Sequence, residues 1–391
     1  MHSGIGDGQH DLTALGVGSQ EHLRQLVGKS LGRQPVEVVD VTVSEVPYDQ
    51  LALTTLSRNR VRGTATTDGL TAAFSIFVKV VQSWSRSPVF ELVPVELREL
   101  ALVQLPWTVE PLAYRSALRD ALPPGLTMPK TFEVIDLDPL PSAIWVEDIA
   151  DAVGLAWTVN HYRRAAFLLG GFATRTAVAE AIRRLDPVIA PARIRGYVDG
   201  RVNSQVVPAL LDEEVWRHPL VDRYFAPHRS GLLEAIEQLA ELVDEVESLP
   251  AGIAHGDACN RNLMISASRP ELVMIDFGFL RHAPLGFDLG QLILGEVQTG
   301  ERPADHLESA WSACLSSYVE GIRAEGNETE LASVDRVSAI CMAIFNGLTA
   351  IPFENLEQGP DARLDALYKN RAEMCRFILD RLDATRSYAA A

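Results

Sequence analysis

Lysine is nearly absent from this chain: 391 residues contain four, Lys29, Lys79, Lys130 and Lys369, so a lysine inside an apolar strand stands out. Cysteine is as scarce. Cys259, Cys314, Cys341 and Cys375 are scattered without CxxC spacing, which argues against a disulfide framework or a zinc site and favours a reducing cytoplasm. No uninterrupted apolar run approaches the ~18 residues that a membrane-spanning helix requires. The first sixteen residues are Gly-rich and polar, with no basic stretch ahead of an apolar core, so a signal peptide is not expected. Positive charge is also in deficit. A formal net charge of −17 repels polyanions and argues against nucleic-acid or acidic-membrane binding. It suits a cationic substrate, although solubility alone explains it. Low-complexity segments and internal repeats are missing. What remains is an ordinary globular composition, 47% hydrophobic and 22% charged, long enough for two or three domains.

The N-terminal third reads mostly as strands. Val36–Val43 is β-branched, and Arg60–Thr66 leads through Asp68-Gly69 into Thr71–Val81. Asp-Gly between two β-prone runs signals a hairpin, because a type I′ turn requires positive φ at both central positions. A helix is expected at Thr108–Leu122, with Thr108 as N-cap and Pro111 in its first turn. Strands at Lys130–Ile135 and Ala143–Ile149 follow, joined through the turn-rich Asp136–Pro141. Together these make a small α+β lobe. After Asp151 helical spacing takes over, at Tyr162–Leu185, Ser230–Leu249, Leu307–Ala324, Leu331–Leu348 and Asp361–Thr385. The acidic residues of the second (Glu234, Glu237, Glu241, Asp244, Glu245, Glu247) read as a solvated face.

Between Ile253 and Phe279 the pattern returns to strand and loop. His255-Gly-Asp257-x₄-Asn262-Leu-Met-Ile is followed by Leu272-Val-Met-Ile-Asp276-Phe-Gly278. The apolar runs Leu263–Ile265 and Leu272–Ile275 flank a polar, Pro-containing Ser266–Glu271, which predicts a hairpin. That hairpin carries Asp257 and Asn262 before its first strand and Asp276 at the end of its second. Two carboxylates and a carboxamide thus converge, which is what phosphoryl transfer requires. One oxygen orients the attacking hydroxyl and accepts its proton, while hard oxygen ligands hold Mg²⁺ against nucleotide phosphates. Asp257 takes the base role, Asn262 that of a magnesium ligand, and Asp276 bridges magnesium and phosphates. Average residue frequencies make H-G-D-x₄-N a chance event in about one such chain in a thousand. The bland alternative, turn residues and nothing more, is correspondingly weak.

Lys79 fits the same chemistry. Alternation in Ala73–Val81 puts Phe74, Ile76, Val78 and Val80 on one face, with Ser75, Phe77 and Lys79 on the other. An ammonium there needs an anionic partner, either nucleotide phosphate or a carboxylate. An edge-strand lysine in water is the competing reading.

These residues resemble the aminoglycoside phosphotransferase and choline kinase-like superfamily, through His255–Asn262, Ile275–Gly278 and Gly286-Phe287-Asp288-Leu289. The resemblance implies a two-lobed, protein-kinase-like α+β fold: a small β-rich N-lobe over residues 1–146 and a larger, mainly helical C-lobe over residues 147–391. It implies transfer of the γ-phosphate of ATP or GTP, with Mg²⁺, to a small-molecule hydroxyl. Asp257, Asn262 and Asp276 keep the roles above. Asp288 would brace the catalytic loop, with His255 in support. Lys79 matches the phosphate-binding lysine, and Glu110, in the E-x₃-Y of Glu110–Tyr114, matches its helical partner, although Glu96 and Glu99 compete. Trp145-Val-Glu147-Asp148-Ile149 resembles the hinge whose backbone reads the base. Two departures stand out. The segment Glu45–Asn59, placed to cover the phosphates, contains no glycine, and Trp84–Trp107 is a long insertion, read as a flap or substrate-side cover.

Protein kinases carry H-R-D and a long activation segment. Gly256 replaces that arginine here, and nine residues separate Gly278 from Asp288. A catalytically silent nucleotide-binding module is the rival from another class, but silent relatives usually lose a base or a metal ligand. The acceptor stays open among an antibiotic of the aminoglycoside kind, which would make this a resistance enzyme, a sugar, and choline or another amino alcohol. Asp148, Asp151, Glu354 and Glu357 are candidate carboxylates for an amino sugar, with exposed loop residues as the simpler reading.

Overall fold

The structure is a computed structural model and describes residues 12–47, 52–137, 141–149, 157–190, 193–358 and 361–388. Helix α1 (Gln20–Leu31) precedes strands β1 (Glu37–Glu45), β2 (Thr55–Thr67) and β3 (Leu70–Val81). Short helices α2 (Arg98–Gln104) and α3 (Val109–Arg115) come next. They are followed by the two-residue strand β4 (Leu126–Thr127) and by β5 (Thr131–Asp136) and β6 (Ser142–Glu147). Five of these strands form one antiparallel sheet in the order β1-β2-β3-β6-β5. The hairpin closes where the sequence expects it. Thr67 faces Leu70 across Asp68 (φ 50°) and Gly69 (φ 76°), the positive values that the turn demands.

The two faces of the sheet pack into different cores. Phe74, Ile76, Val78 and Val80 of β3, with Trp145 of β6, pack with Leu23, Leu26 and Val27 of α1. The opposite face contributes Val81, Ile144 and Val146 to a larger core that runs on through the helical part. Helix α1 was not foreseen. Its signals are local: the Ser19 side chain accepts from the His22 N–H, and Gly32 closes the helix at φ 64°.

The helix expected over Thr108–Leu122 is shorter and interrupted. Thr108 is helical itself and makes no side-chain cap, and Ser116 is extended (ψ 175°). The Ser116 hydroxyl donates to the Ala113 carbonyl and accepts from the Leu118 N–H, replacing backbone bonds that a continuous helix would make.

The helical part contains α4 (Val159–Thr174), α5 (Arg229–Glu237), α6 (Leu239–Glu247), α7 (Phe287–Gln298), α8 (Leu307–Ala324), α9 (Leu331–Met342) and α10 (Ala362–Ala384), with shorter turns between them. Breaks at Arg175 and Gln238 divide two of the expected helices, and a π-helical turn, Ala343–Gly347, ends the stretch expected to run to Leu348. The acidic row of α5 and α6 is solvent-facing as expected, with Glu234, Glu237, Glu241 and Asp244 exposed, and several of its members also meet arginines. Glu245 meets Arg336 at 2.7 Å, Glu234 meets Arg386 at 2.7 Å, and Asp244 pairs with Arg195. No single helix among the described residues is long and apolar enough to cross a membrane.

Between α6 and α7, strand β7 (Ala251–Ala254) pairs antiparallel with β10 (Arg281–Pro284). Between them β8 (Leu263–Ile265) and β9 (Leu272–Met274) form the expected hairpin, Leu263 facing Met274, and β4 adds to β9 in parallel.

Candidate active site

The loop that leaves β7 turns sharply at Gly256 (φ 84°), where a Cβ would lie 2.1 Å from the Phe279 carbonyl oxygen. Asp288, in the first turn of α7 and 2% exposed, holds this turn from beneath. Its Oδ2 accepts from the His255 N–H at 2.8 Å and its Oδ1 from the Gly256 N–H at 2.9 Å. His255 is fully buried. Its Nε2 lies 2.8 Å from the Ile275 carbonyl oxygen, a bond it can only donate, and Nδ1 then accepts from the Asp257 N–H at 3.3 Å. These contacts tie the loop to the end of the hairpin and fix the direction of the Asp257 side chain.

Both carboxylate oxygens of Asp257 are held. Asn262 Nδ2 donates to Oδ2 at 2.9 Å and to the Asp257 carbonyl, and Gln291 Nε2 of α7 donates to Oδ1 at 2.9 Å. Burial pushes the Asp257 carboxyl above the usual carboxylate range, and the charge of Asp276 adds to this. His255, Gln291 and Asn262 oppose it. The reading from sequence missed Gln291. It stands one helical turn after Asp288, so the spacing Asp288-x-x-Gln291 on one helix face was its only signal.

Asp276 follows β9 in the left-handed region at φ 62°, a conformation that Asp tolerates better than most residues. It sends its carboxylate toward the sheet. Lys79 Nζ of β3 donates to Asp276 Oδ1 at 2.9 Å and lies 2.7 Å from Glu110 Oε2 and 2.9 Å from Oε1. Glu110 is thus the carboxylate on α3 that Lys79 meets, and Glu96 and Glu99 are exposed. Phe277 is fully buried, edge-on to Tyr114 of α3 at 5.6 Å and tilted against His255 at 5.4 Å. One ring therefore packs the helix of Glu110 against the loop of Asp257.

Two carboxylates share one ammonium, and burial separates them. Burial, reinforced by the charge of Asp276, carries Glu110 to about 7 against the pull of Lys79. Asp276 is held below its ordinary range: Lys79 outweighs its desolvation.

The donor set suits magnesium. Asn262 spends its amide nitrogen on Asp257, which orients the amide and leaves Oδ1 as its acceptor. Asp276 supplies a carboxylate kept ionised. Magnesium is commonly held by one or two such groups together with phosphate and water.

Trp145 and Glu147 sit on β6 beside β3. The Trp145 ring is fully buried and donates to the Leu15 carbonyl at 3.0 Å, while Glu147 pairs with Arg269 of the β8–β9 loop at 2.5 Å. Both side chains are thus engaged by groups of the protein itself. Two of the amino-sugar candidates are already paired with arginines. Asp148 is paired with Arg60 at 2.7 Å, Glu354 with Arg371 at 2.9 Å, and Asp151 lies outside the described residues, as does part of the segment 45–59.

Beside Asp257 a cavity of about 550 Å³ opens between the insertion after β3, the π-helical Val198–Val206 and the C-terminal end of α9. Trp84, Leu97 and Leu100 line it from the insertion.

Residues 139–321 match the profile of the phosphotransferase enzyme family, and they contain Asp257, Asn262, Asp276 and Asp288. Over that segment the chain is similar to the phosphotransferase enzyme family. The fold agrees. The chain is similar to an aminoglycoside phosphotransferase from Alicyclobacillus acidocaldarius, at 17% identity and a TM-score of 0.50, over 88% of this chain and 98% of that one. More distant likenesses are a choline/ethanolamine kinase family protein from Mesorhizobium loti (16% identity, TM-score 0.40, 88% and 92% covered) and an ethanolamine kinase from Plasmodium vivax (10%, 0.43, 87% and 84%). No curated protein sequence matches the chain. The fold is thus two-lobed and kinase-like.

Proposed function

We propose that this phosphotransferase moves the γ-phosphate of ATP or GTP onto a hydroxyl of a small molecule held in the cavity beside Asp257. The observation that carries this reading is the position of Asp257. It borders the acceptor-sized cavity on one side; on the other, Asn262 holds its Oδ2 and accepts through its backbone carbonyl from the N–H of Ile275, the neighbour of the Asp276 that meets Lys79.

In this reading Asp257 orients the acceptor hydroxyl and takes its proton as the phosphoryl group arrives. Its raised proton affinity brings it nearer the alcohol it must serve. Lys79 leaves Asp276 in part to meet the nucleotide phosphates, while Glu110 keeps the ammonium aimed. Asn262 Oδ1 and Asp276 would hold Mg²⁺, which supplies charge neutralisation at the phosphates. Asp288 and His255 keep the loop rigid, so that little reorganisation is left for the reaction. The base of the nucleotide rests along the backbone of β6 at Trp145–Glu147, where we also place the boundary between the lobes.

An acceptor screen with ATP and GTP tests the reading, with Asp257→Asn as control. Loss of the base is expected to lower kcat by on the order of 10²–10⁴ with nucleotide affinity kept. Equal turnover by the substituted protein on an identified acceptor would remove Asp257 from the base role.

A further inference from the structure

The cavity beside Asp257 is built for a different charge than an aminoglycoside carries. Polycationic amino sugars need carboxylates around them, yet among the described residues Asp257 is the only acidic one that lines the cavity, and its two oxygens are already bonded to Asn262 and Gln291. The wall is largely apolar. Tyr197 and Phe345 stack at 4.4 Å, and Phe287 meets Phe345 edge-on at 5.3 Å. Among the described residues the charged groups that remain are two arginines, Arg201 at the exposed rim and Arg281, 8% exposed, at the first residue of β10.

Arg281 is the deciding group. Its hydrogen bonds go to backbone carbonyls alone, Nε to Phe279 at 3.2 Å and a terminal nitrogen to Gln104 at 3.5 Å. Among the described residues it meets no carboxylate at ion-pair distance. The acid that acts on it, Asp288, has given both oxygens to the His255 and Gly256 N–H groups. A guanidinium so buried is costly without an anion, and desolvation carries it down to about 10. Arg201 likewise has no ion-pair partner among the described residues. Guanidinium beside an apolar surface is the arrangement that seats a carboxylate attached to a hydrocarbon body.

We infer that the acceptor is an amphipathic hydroxy acid, whose apolar body lies on the aromatic wall and whose carboxylate pairs with Arg281. A cavity of this volume accommodates a molecule of ordinary drug size. The inference rests on the phosphotransferase reading for the hydroxyl alone; the charge preference follows from the cavity.

Four probes on the intact chain test it by calorimetric titration and by phosphoryl transfer from Mg-ATP: 12-hydroxydodecanoate, 12-hydroxydodecanamide, 12-aminododecan-1-ol and kanamycin. The carboxylate is expected to bind about 10- to 100-fold more tightly than the amide, and the two cationic probes more weakly than either. Arg281→Gln should abolish the difference between carboxylate and amide while the melting temperature and nucleotide affinity stay near wild type. Arg281→Lys should restore part of it, and Arg201→Gln, on the exposed rim, should weaken the carboxylate alone by a smaller factor. Tighter binding of a cationic probe, equal binding of carboxylate and amide, or no binding of any probe would overturn the inference. Phosphoryl transfer to kanamycin by wild type but not by Asp257→Asn would overturn it while leaving the phosphotransferase reading standing. Tight carboxylate binding without phosphoryl transfer would uphold the charge preference and sink the catalytic reading.

Discussion

A side chain at residue 256 has nowhere to go: the backbone is at φ 84° and the Phe279 carbonyl oxygen stands 2.1 Å from where Cβ would be. Gly256→Ala is therefore expected to destabilise the protein by about 1–3 kcal/mol from backbone strain alone, with the clash adding to it. Denaturant unfolding of the two proteins measures this, and a difference below about 0.5 kcal/mol would mean that the loop relaxes. The same position explains why an arginine between His255 and Asp257 is excluded here. Glu110 makes a prediction with a sign. Its carboxyl stands at about 7 in the fold against 4.5 when free, so protonation favours the folded state. The stability it confers is complete below 4.5 and is lost as pH rises through 7. Asp276 shifts the other way, with its window below 3.8, and leaves this range undisturbed. The melting temperature of nucleotide-free wild type, less that of Glu110→Gln, should thus fall between pH 5 and pH 8. A constant difference would show that Glu110 is ionised throughout.

Among the elements, those written in local chemistry were legible. The Asp68-Gly69 hairpin, the β8–β9 hairpin and the spacing of Asp257, Asn262 and Asp276 each depend on residues within one short stretch of chain. The pairing of β7 with β10 and of β4 with β9 was not legible, because strands of two to four residues carry no period and meet only in the fold. Sequence put Glu110 ahead of Glu96 and Glu99 but only narrowly, since the choice depends on where α3 docks, which Phe277 and Tyr114 set. Ser116 defeated a correct periodicity with one hydroxyl. Helix α1 was legible but went unread: Ser19, Leu23, Leu26, Val27 and Gly32 are a cap, an apolar stripe and a stop. It covers the face of the sheet opposite Lys79, so it stabilises the strand that carries the lysine without touching the site. Leu26, fully buried there, should cost about 2–5 kcal/mol as Leu26→Ala. Thermal unfolding checks the loss, and kcat per folded molecule should hold; a selective loss of kcat would place α1 in the chemistry.

At the scale of the molecule, the two lobes are less separate than their count of elements suggests. Val81, Ile144 and Val146 of the sheet lie in the same buried core as Leu289 of α7 and Met342 of α9, and only the α1 side has a core of its own. Pulling the sheet away would expose apolar surface on both parts at once, and would also break the Lys79–Asp276 and Glu147–Arg269 pairs that join them. Unfolding of one part therefore destabilises the other, and calorimetry should show one transition for the whole chain rather than two. A ligand that bridges β3 and the β9 end should then move the whole transition. At about 100 times its Kd, Mg-ATP adds about 2.7 kcal/mol, which for a chain of this length raises Tm by roughly 3–5 °C. Lys79→Met should remove most of that rise while keeping the transition single. Two resolved transitions, with only the lower one moved by nucleotide, would mean that the shared core is too thin to couple the sheet to the helices.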